Sequence, residues 1–327
     1  MKKELKDALD NFKNKNILVI GDILLDKFSW GEVNRVNPEQ PAAPLVKIIK
    51  EDYALGGAAN VANNIVSLGG KCCLYGVIGR DYAGERIKKM CNFRKIVFKD
   101  FRYKKTLLKQ RIMAHGQQIV RMDFGEKEIL KIGNRLQNKI IDSLKEEIGK
   151  FDFIILSDYD KFLFNKEFSS RIISLAQKNN TPILVDPKPH NLDFFKGCYL
   201  ICPNKKEAEI MSGITYSNGI ETLEKMAKIL AEKVNAKYII ITCGEDGVFS
   251  YANGEKNFIE TKAVEVADVT GAGDTFASAL SLGLSCNLNI DDAVSLANYA
   301  AGIVVGKVGT ATTNIEEIKN YLKRQDF

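Results

Sequence analysis

The segment VADVTGAGDTFASAL, at residues 266–280, joins two glycines and an acid to the start of an apolar helix. Glycine costs about 1 kcal/mol relative to alanine inside a helix, so Gly271 and Gly273 suggest that another molecule approaches the backbone closely. A helix that begins near Ala272 would offer the free N–H groups of its first three residues to an anion. Asp274, in that first turn, could then accept a proton from a hydroxyl beside a bound phosphoryl group.

A purely structural interpretation of the same segment is also open. Aspartate often caps helices and glycine is common in loops, so Asp274 could simply be an N-cap residue. The sequence contains neither a GxxxxGK[ST] motif nor the protein-kinase set, and GDILLDKF does not form a GxGxxG motif. A phosphate donor would therefore have to bind elsewhere, and the second half of the sheet described next is the candidate.

The elements that must position these residues alternate along the chain. Apolar, strand-like runs are NILVIGD, KCCLYGVIG, FDFIILSD, PILVDPK, YLICPN and KYIIITCG. Helical patterns lie between most of them, at 56–70 and near 82–90, 127–149, 165–179, 204–212 and 219–234. This alternation predicts an α/β fold, a doubly wound and mostly parallel sheet with helices on both faces.

Polar residues stand at the predicted ends of five successive strands. In open α/β sheets, ligands bind beyond the carboxyl ends of the strands, and five such ends exceed what helix capping alone would require. The sequence therefore predicts a functional rim formed by Asp22, Asp26, Asp158, Lys161, Asp186, Lys188, Asn204, Glu207, Thr242 and Gly244.

Two segments, 27–51 and 101–124, interrupt the α/β alternation. They alternate like antiparallel strands and contain Pro and Gly breaks. We interpret them as one small sheet that covers the site as a lid. The 327 residues are then expected to form a single domain with this lid.

Composition limits the classes of function. The chain is 45% hydrophobic and 27% charged, with a net charge of +6 and scattered Lys and Arg residues, which suits an anionic small molecule as well as nucleic acid. No apolar run is long enough to span a bilayer and no signal core is present, so we expect a cytoplasmic protein. Seven cysteines without paired CxxC motifs favour buried free thiols, although a zinc clip at Cys198 and Cys202 is an alternative.

Two long motifs connect these observations to a known family. DVTGAGDTF strongly resembles the C-terminal signature of the ribokinase-like (PfkB) sugar kinases, and GGAANVANNIVSLGG resembles their N-terminal signature. The resemblance covers the chain from about residue 16 to its end. It implies a ribokinase-like fold, ATP and Mg²⁺, Asp274 as catalytic base, and an anion hole at Gly271, Ala272 and Gly273. It also implies pairing of two chains through their lids, and no nucleic-acid or membrane partner.

Within the family, the acceptor site and lid most resemble kinases that phosphorylate D-glycero-β-D-manno-heptose 7-phosphate at O1, for ADP-heptose and lipopolysaccharide synthesis. The segments LSDYDK, CPNKKEAE and AAGIVVGKVGT are among those that carry this likeness. In many bacteria such a kinase is fused to a nucleotidyltransferase, which we do not expect here because the chain ends at Phe327. Another sugar, sugar phosphate or nucleoside is the alternative acceptor, and a non-enzymatic basic binding module is the alternative from another class.

The resemblance assigns the acceptor-site residues position by position. Contacts to the sugar are implied for Asp26, Gly56, Gly57 and Asn60, and Asp158 of the functional rim is expected to bind substrate with them. The 7-phosphate requires cations, which are expected from Lys109, Arg111 and Arg121 of the lid, with Lys161 and Arg35 as helpers. A solvated strand face is the alternative interpretation of these cations. One departure is that Phe162 stands where relatives usually have Gly.

The resemblance also assigns the donor side of the site. The nucleotide is expected to contact Lys188, Thr242, Gly244, Gly247, Asn298, Gly302 and Val305. Asn204 and Glu207 match an Asn-x-x-Glu pair that helps hold Mg²⁺ through water. Asp268 and Thr270 fall where many relatives bind a monovalent cation such as K⁺.

Overall fold

The computed structural model describes residues 3–35, 37–126, 132–217, 219–261, 266–307 and 309–325. Its strands are β1 (Asn16–Gly21), β2 (Ile23–Glu32), β3 (Lys47–Gly57), β4 (Lys71–Gly79), β5 (Val97–Tyr103), β6 (Leu107–Ala114), β7 (Gln117–Phe124), β8 (Phe153–Ser157), β9 (Ile183–Asp186), β10 (Leu200–Ile201), β11 (Tyr238–Thr242), β12 (Gly247–Ala252) and β13 (Glu255–Glu260). Its α-helices are α1 (Lys3–Asn11), α2 (Ala58–Ser67), α3 (Tyr82–Phe93), α4 (Asn134–Glu147), α5 (Lys166–Lys178), α6 (Lys205–Ser212), α7 (Ile220–Val234), α8 (Ala272–Ser285), α9 (Ile290–Val305) and α10 (Ile315–Gln325).

The large sheet has nine strands in the order β13-β12-β11-β10-β9-β8-β1-β4-β5. The seven strands from β11 to β5 are parallel, while β12 and β13 extend the β11 edge as an antiparallel hairpin. Central strands such as β8 are buried along their whole length, as expected where helices cover both faces. The predicted doubly wound α/β fold is confirmed.

Two hydrophobic clusters fill the two faces of this sheet. Residues from α1, α2, α3, α8, α9 and α10 form one cluster, and residues from α4, α5, α6 and α7 form the other. The helices predicted from amphipathic patterns all occur, although the first residues of the pattern near 127–149, at 127–131, lie outside the described part. All seven cysteines are free and six of them are buried. Within the described ranges, no helix is both long and apolar enough to cross a bilayer.

The small sheet has the order β3-β2-β6-β7. Strand β2 is antiparallel to β3 and parallel to β6, and β6 is antiparallel to β7. Its bounds differ from the two predicted segments. Strands β2 and β3 extend from Ile23 to Gly57, beyond both ends of the predicted segment 27–51. At the start of the predicted segment 101–124, residues 101–103 belong to β5 of the large sheet, which pairs with β4 up to Tyr103.

Candidate active site

Asp274 lies at the contact between α8 and α2, with only 6% of its surface exposed. Its Oδ2 accepts a hydrogen bond of 2.7 Å from Asn60 Nδ2, and its Oδ1 accepts one of 2.9 Å from the Tyr159 hydroxyl. The N-cap interpretation is wrong, because the N-cap position is Gly271 and no side chain caps this helix. The carboxylate instead binds Asn60 on α2 and Tyr159 in the turn after β8.

Further polar bonds fix the contact between the two helices. Thr275 Oγ1 donates 2.7 Å to Asn64 Oδ1, and Ser278 Oγ donates 3.0 Å to the carbonyl of Val61. Asn64 Nδ2 in turn donates 2.9 Å to the carbonyl of Asn60. Such a satisfied buried network leaves α2 and α8 little freedom to slide, so it holds the amide of Asn60 against the carboxylate.

Burial raises the pKa of Asp274 to about 6. The hydrogen bonds from Asn60 and Tyr159 and the charge of Lys188 act in the opposite direction, and the charge of Asp26 adds to the rise. The group is therefore mostly ionised at neutral pH and close to the range in which proton acceptance is efficient.

The entrance to α8 has the open backbone that its glycines predict. Gly271 has φ of 84°, and a Cβ there would lie 3.0 Å from Asn60 Nδ2, so a side chain would be strained and would displace the Asn60 amide. A Cβ on Gly273 would meet nothing within 4 Å. One of the three predicted free amides is engaged, because the turn at Gly271 lets the N–H of Ala272 donate 3.3 Å to the carbonyl of Val269. The amides of Gly273 and Asp274 lie in the first turn, where no acceptor inside the helix is available.

A cavity of about 170 Å³ connects this entrance with the carboxyl ends of the parallel strands. Its walls bring predicted catalytic, metal and nucleotide residues together. They also include Asp186 of the predicted rim, and Tyr159, whose role at the site the sequence did not reveal. The lining residues are Tyr159, Asp186, Lys188, Cys202, Asn204, Glu207, Thr242, Gly271, Gly273, Asp274, Phe276 and Ala277.

Asn204 and Glu207 form a capping box at the start of α6. Asn204 Oδ1 accepts 3.0 Å from the amide of Glu207, and Glu207 Oε2 accepts 3.0 Å from the amide of Asn204. Lys188 Nζ lies 2.5 Å from Glu207 Oε1. Burial lowers the pKa of Lys188, but the charges of Asp186 and Glu207 raise it overall, so the ammonium group stays charged.

The cavity wall near this box suits a divalent cation. Burial raises the pKa of Asp186 to about 8. The charges of Glu207 and Asp274 add to this rise, while the charge of Lys188 opposes it, so several carboxylates lie near a single lysine. Carboxylate and amide oxygens are the ligands that Mg²⁺ prefers, usually with several waters retained. The capping box already uses Asn204 Oδ1 and Glu207 Oε2, so these two residues would hold Mg²⁺ through water. In the described part of the chain, no cluster of three or more His, Cys, Asp or Glu residues forms a site of protein ligands alone.

The two glycines of the predicted nucleotide loop differ in the space around them. Thr242 ends β11 and lies beside Asn204 in an isolated β-bridge. Gly244 has φ of 65° and open space around its α-carbon. Gly247 has φ of 130°, and a Cβ there would lie 2.9 Å from the α-carbon of Glu260. Gly247 therefore permits the close approach of β12 and β13, which is a structural requirement by itself.

Helix α9 borders the same end of the site. Asn298 Oδ1 accepts 3.0 Å from Thr261 Oγ1, and the α-carbon of Gly302 faces open space. The carbonyl of Val305 accepts from the amides of Ala267 and Asp268, at 2.8 and 3.1 Å. Thr261 Oγ1 also lies 3.5 Å from the carbonyl of Gly244, but none of Asn298, Gly302 and Val305 lines the cavity.

The carboxylate of Asp268 joins two loops. Its Oδ1 accepts 2.9 Å from the amide of Thr270, and its Oδ2 accepts 3.0 Å from the amide of Gly309. Burial raises its pKa, but the hydrogen bonds from Thr270 and Gly309 lower it overall. Asp268 is therefore a fixed, ionised carboxylate next to the entrance of α8.

One face of the small sheet carries most of the predicted acceptor residues. The strand registers place Asp26 opposite Lys109, and Arg111 opposite Arg121. Arg111 forms a close ion pair with the buried carboxylate of Asp26, and its guanidinium lies 5.2 Å from the ring centre of Phe28. Two residues predicted to contact different parts of an acceptor therefore bind each other in this structure.

The other cations differ in how firmly they are paired. Arg121 donates to both carboxylate oxygens of Asp123, at 2.9 and 2.7 Å, and Lys161 lies 2.6 Å from Glu126 Oε1. Burial lowers the pKa of Lys109, and the nearby charges of Arg121 and Lys161 lower it further. These three cations are close enough to repel one another, which an anionic ligand would relieve. Arg35 is exposed in the loop after β2.

Asp158 differs from the substrate contact that was predicted. It is 1% exposed, and its carboxylate accepts from the amides of Asp160 and Lys188, at 2.8 and 3.0 Å. Asn191 Nδ2 also donates to both of its oxygens, at 3.1 and 3.0 Å. Because the chain already uses both oxygens of this buried group, Asp158 supports the turn that follows β8.

The glycines at the end of β3 have a packing reason as well. Gly57 has φ of 60° and lies against the carbonyl of Asp22, while Gly56 lies against Leu24 and the carboxylate of Asp26. They allow the small sheet to lie directly on the end of β1. The predicted contacts of Gly56 and Gly57 with a sugar would therefore come from their backbone, beside Asp26.

This arrangement places an ionised, buried carboxylate beside open helix amides, an acidic cavity and a basic sheet face. A sequence profile described as "pfkB family carbohydrate kinase" matches residues 14–317. The chain belongs to the pfkB family of carbohydrate kinases. The predicted enzyme class, an ATP-dependent sugar kinase, is thereby confirmed.

A curated bifunctional protein is similar to most of this chain. The chain is 40% identical over 310 residues to the bifunctional protein HldE of Sulfurimonas denitrificans, covering 93% of this chain and 64% of that protein. The chain therefore spans less than two thirds of the length of this curated relative.

Two solved structures show the pfkB fold directly. Phosphofructokinase-2 from Escherichia coli in complex with potassium has a TM-score of 0.76 and 18% identity, covering 96% of this chain and 99% of that chain. Ribokinase from Thermotoga maritima has a TM-score of 0.70 and 23% identity, covering 94% and 99%. The predicted ribokinase-like fold is confirmed.

Proposed function

We propose that this pfkB kinase transfers the γ-phosphoryl group of ATP to O1 of D-glycero-β-D-manno-heptose 7-phosphate. The observation that carries the proposal is the position of Asp274, in the first turn of α8 and on the wall of the cavity that also contains Lys188 and Glu207. The similarity to bifunctional HldE supports a heptose phosphate as the acceptor. The product would be the 1,7-bisphosphate, a precursor for ADP-heptose.

Bonds and protons balance in a single in-line displacement. The O1–H bond breaks and its proton passes to Asp274, while O1 forms a bond to the γ-phosphorus. The bond from that phosphorus to the bridging oxygen of ADP breaks, and ADP leaves with the electron pair. The amides of Gly273 and Asp274 and the ammonium of Lys188 would stabilise charge on the transferring oxygens. Asn204 and Glu207 would hold Mg²⁺ through water, and the ion would further neutralise the phosphate charge.

The basic face of the small sheet supports an anionic acceptor. Lys109 is half-buried, and no ion pair to it is found among the described residues, whereas Arg111 is engaged by Asp26. We propose that Lys109, Arg121 and Lys161 bind the 7-phosphate, with Arg35 approaching from its loop. Arg111 would orient Asp26 toward sugar hydroxyls.

We also propose a monovalent cation site and the pairing of two chains. A monovalent cation beside Asp268 and Thr270 is supported by the potassium complex of the related phosphofructokinase-2. Pairing of two chains through the small sheet is supported by the exposed apolar residues Ile49, Val120 and Phe124 on its edge strands.

An acceptor panel tests the function. Purified protein is incubated with Mg·ATP and either heptose 7-phosphate, fructose 6-phosphate, ribose or adenosine, and products are identified by mass. We expect kcat/KM for heptose 7-phosphate to exceed the others by at least about 100-fold, the discrimination that one charged contact and the sugar hydroxyls can supply. A preference for another acceptor would contradict the proposed substrate, and no ATP-dependent transfer to any of them would contradict the proposed reaction.

A further inference from the structure

Tyr159 contacts the base and two lysines. Its hydroxyl lies 2.9 Å from Asp274 Oδ1. The ammonium groups of Lys109, from the small sheet, and Lys188, which follows β9, lie 5.8 and 5.7 Å from the centre of its ring. Among the described residues, no other aromatic ring is approached by both of these lysines.

The turn that carries Tyr159 has an unusual backbone. Asp160 and Phe162 have φ values of 54° and 73°, in the left-handed region that side chains other than glycine rarely adopt. Two such residues within three positions are a concentrated backbone cost of about 1–3 kcal/mol each, which persists only where the surroundings enforce it. Strain of this kind commonly occurs where a side chain must be held in one place.

Two buried carboxylates enforce this turn. Asp22 Oδ2 accepts from the amides of Tyr159 and Lys161, at 3.0 and 3.1 Å. Asp158 Oδ1 accepts 2.8 Å from the amide of Asp160. The backbone on both sides of the Tyr159 side chain is therefore fixed to the ends of β1 and β8, and the hydroxyl has little choice of position.

The groups around Asp274 leave its second lone pairs for a substrate. Asn60 uses Oδ2 and Tyr159 uses Oδ1, while each carboxylate oxygen can accept a second hydrogen bond. Burial and the charge of Asp274 raise the pKa of Tyr159 well above its usual range, so the phenol keeps its proton and only donates. The charged and titratable groups that face Asp274 are Asp26 on β2, Tyr159 after β8, Asp186 on β9 and Lys188 after β9.

We propose that Tyr159 is a positioning residue for the base, whose hydroxyl orients Asp274 Oδ1 and favours the ionised carboxylate. This rests on the proposed kinase function, in which Asp274 accepts the proton of the acceptor. The transferred proton resides on Asp274, and Tyr159 neither gains nor loses a proton during the reaction.

Tyr159→Phe tests the proposal, because it removes only the hydroxyl. The control is Tyr75→Phe, since Tyr75 OH also donates 2.9 Å to a carboxylate, that of Glu147, far from the cavity. One measurement is the pH dependence of kcat/KM for the acceptor at saturating Mg·ATP. The second is a carboxyl ¹³C NMR titration of ligand-free, aspartate-labelled protein, in which Asp274→Asn identifies the Asp274 signal.

We expect Tyr159→Phe to move both the acidic limb of kcat/KM and the NMR midpoint of Asp274 upward by about one pH unit, as loss of one hydrogen bond to a charged group implies. Tyr75→Phe should move neither. An unchanged NMR midpoint in folded Tyr159→Phe protein would overturn the positioning role. Failure of the kinase function would look different, because the wild type would then transfer no phosphoryl group to any acceptor, whereas the NMR midpoint of Asp274 can be measured without activity.

Discussion

The side-chain amide of Asn60 donates a 2.7 Å hydrogen bond to Asp274, 214 residues away in the chain. This bond joins the helix of the N-terminal family signature to the helix of the C-terminal one. It also favours the charged form of the base against the effect of burial, which raises the pKa of Asp274 to about 6.

The acidic limb of the activity profile should reflect this balance. A base with a raised pKa is active above that value and is lost as the pH falls through it. We expect kcat/KM of the wild type to be constant between about pH 7 and 8 and to fall tenfold per pH unit below about pH 6. Asn60→Ala should move that midpoint upward, and a midpoint unchanged at about pH 6 would contradict the role of this hydrogen bond.

Asp274→Asn should stabilise the fold in a pH-dependent manner. The pKa of Asp274 is raised to about 6 in the folded protein, so between about pH 4 and 6 the folded state binds more protons than the unfolded state, and ionisation costs stability. That cost is fully present above pH 6. We expect the substitution to raise the free energy of unfolding by about 1–3 kcal/mol at pH 8 and by less at pH 5.

Chemical denaturation at the two pH values measures this difference. Asp142→Asn is the control, because Asp142 is exposed and lies beside Lys145 on the surface of α4. It should change stability little at either pH. A stabilisation by Asp274→Asn that is equal at both pH values would contradict the burial of an ionised carboxylate.

Phe162→Gly should stabilise the turn after β8. Phe162 has φ of 73° and a side chain that is 42% exposed, so glycine relieves backbone strain at a small loss of packing. Phe162→Ala is the matched control, since it loses the same ring but keeps the strained backbone. We expect glycine to be more stable than alanine by about 1 kcal/mol in thermal unfolding, and equal stability would show that the left-handed conformation carries no cost.

The cations of the small sheet should separate into two groups. Lys109→Ala should raise KM for a phosphorylated acceptor by about tenfold or more, with little effect on an unphosphorylated sugar, because a charge-assisted bond to phosphate is lost. Arg111→Ala should instead lower stability by about 3–5 kcal/mol, because the buried carboxylate of Asp26 loses its partner. Lys50→Ala, at an exposed position of β3, is the control for removing a positive charge. Equal weakening of both acceptors by Lys109→Ala would contradict its contact with phosphate.

Local sequence signals were sufficient for the large sheet and for the entrance of α8. The start of that helix at Ala272 follows from the glycines before it and the apolar run after it. A local signal was overlooked at the β12–β13 hairpin, where Asn253 and Gly254 turn the chain with φ of 50° and 90°. An Asn-Gly pair between strand-like segments is a strong hairpin indicator.

Other features of the site depend on contacts between distant segments. Tyr159 was missed because its hydroxyl reaches Asp274 only through a turn that two left-handed residues and Asp22 determine. Phe162 at a usual glycine position was the available sign of that turn. Composition likewise could not show that Arg111, among several lid cations, pairs inward with Asp26.

The turnover of Asp274→Asn is the most direct measurement of the central claim. Transfer from Mg·ATP to heptose 7-phosphate is followed for the wild type and the variant at pH 8, together with ATP affinity. Loss of the proton acceptor should lower kcat by about 10²–10⁴ while ATP affinity stays nearly unchanged. A near-wild-type kcat in the variant would contradict the assignment of Asp274 as the catalytic base.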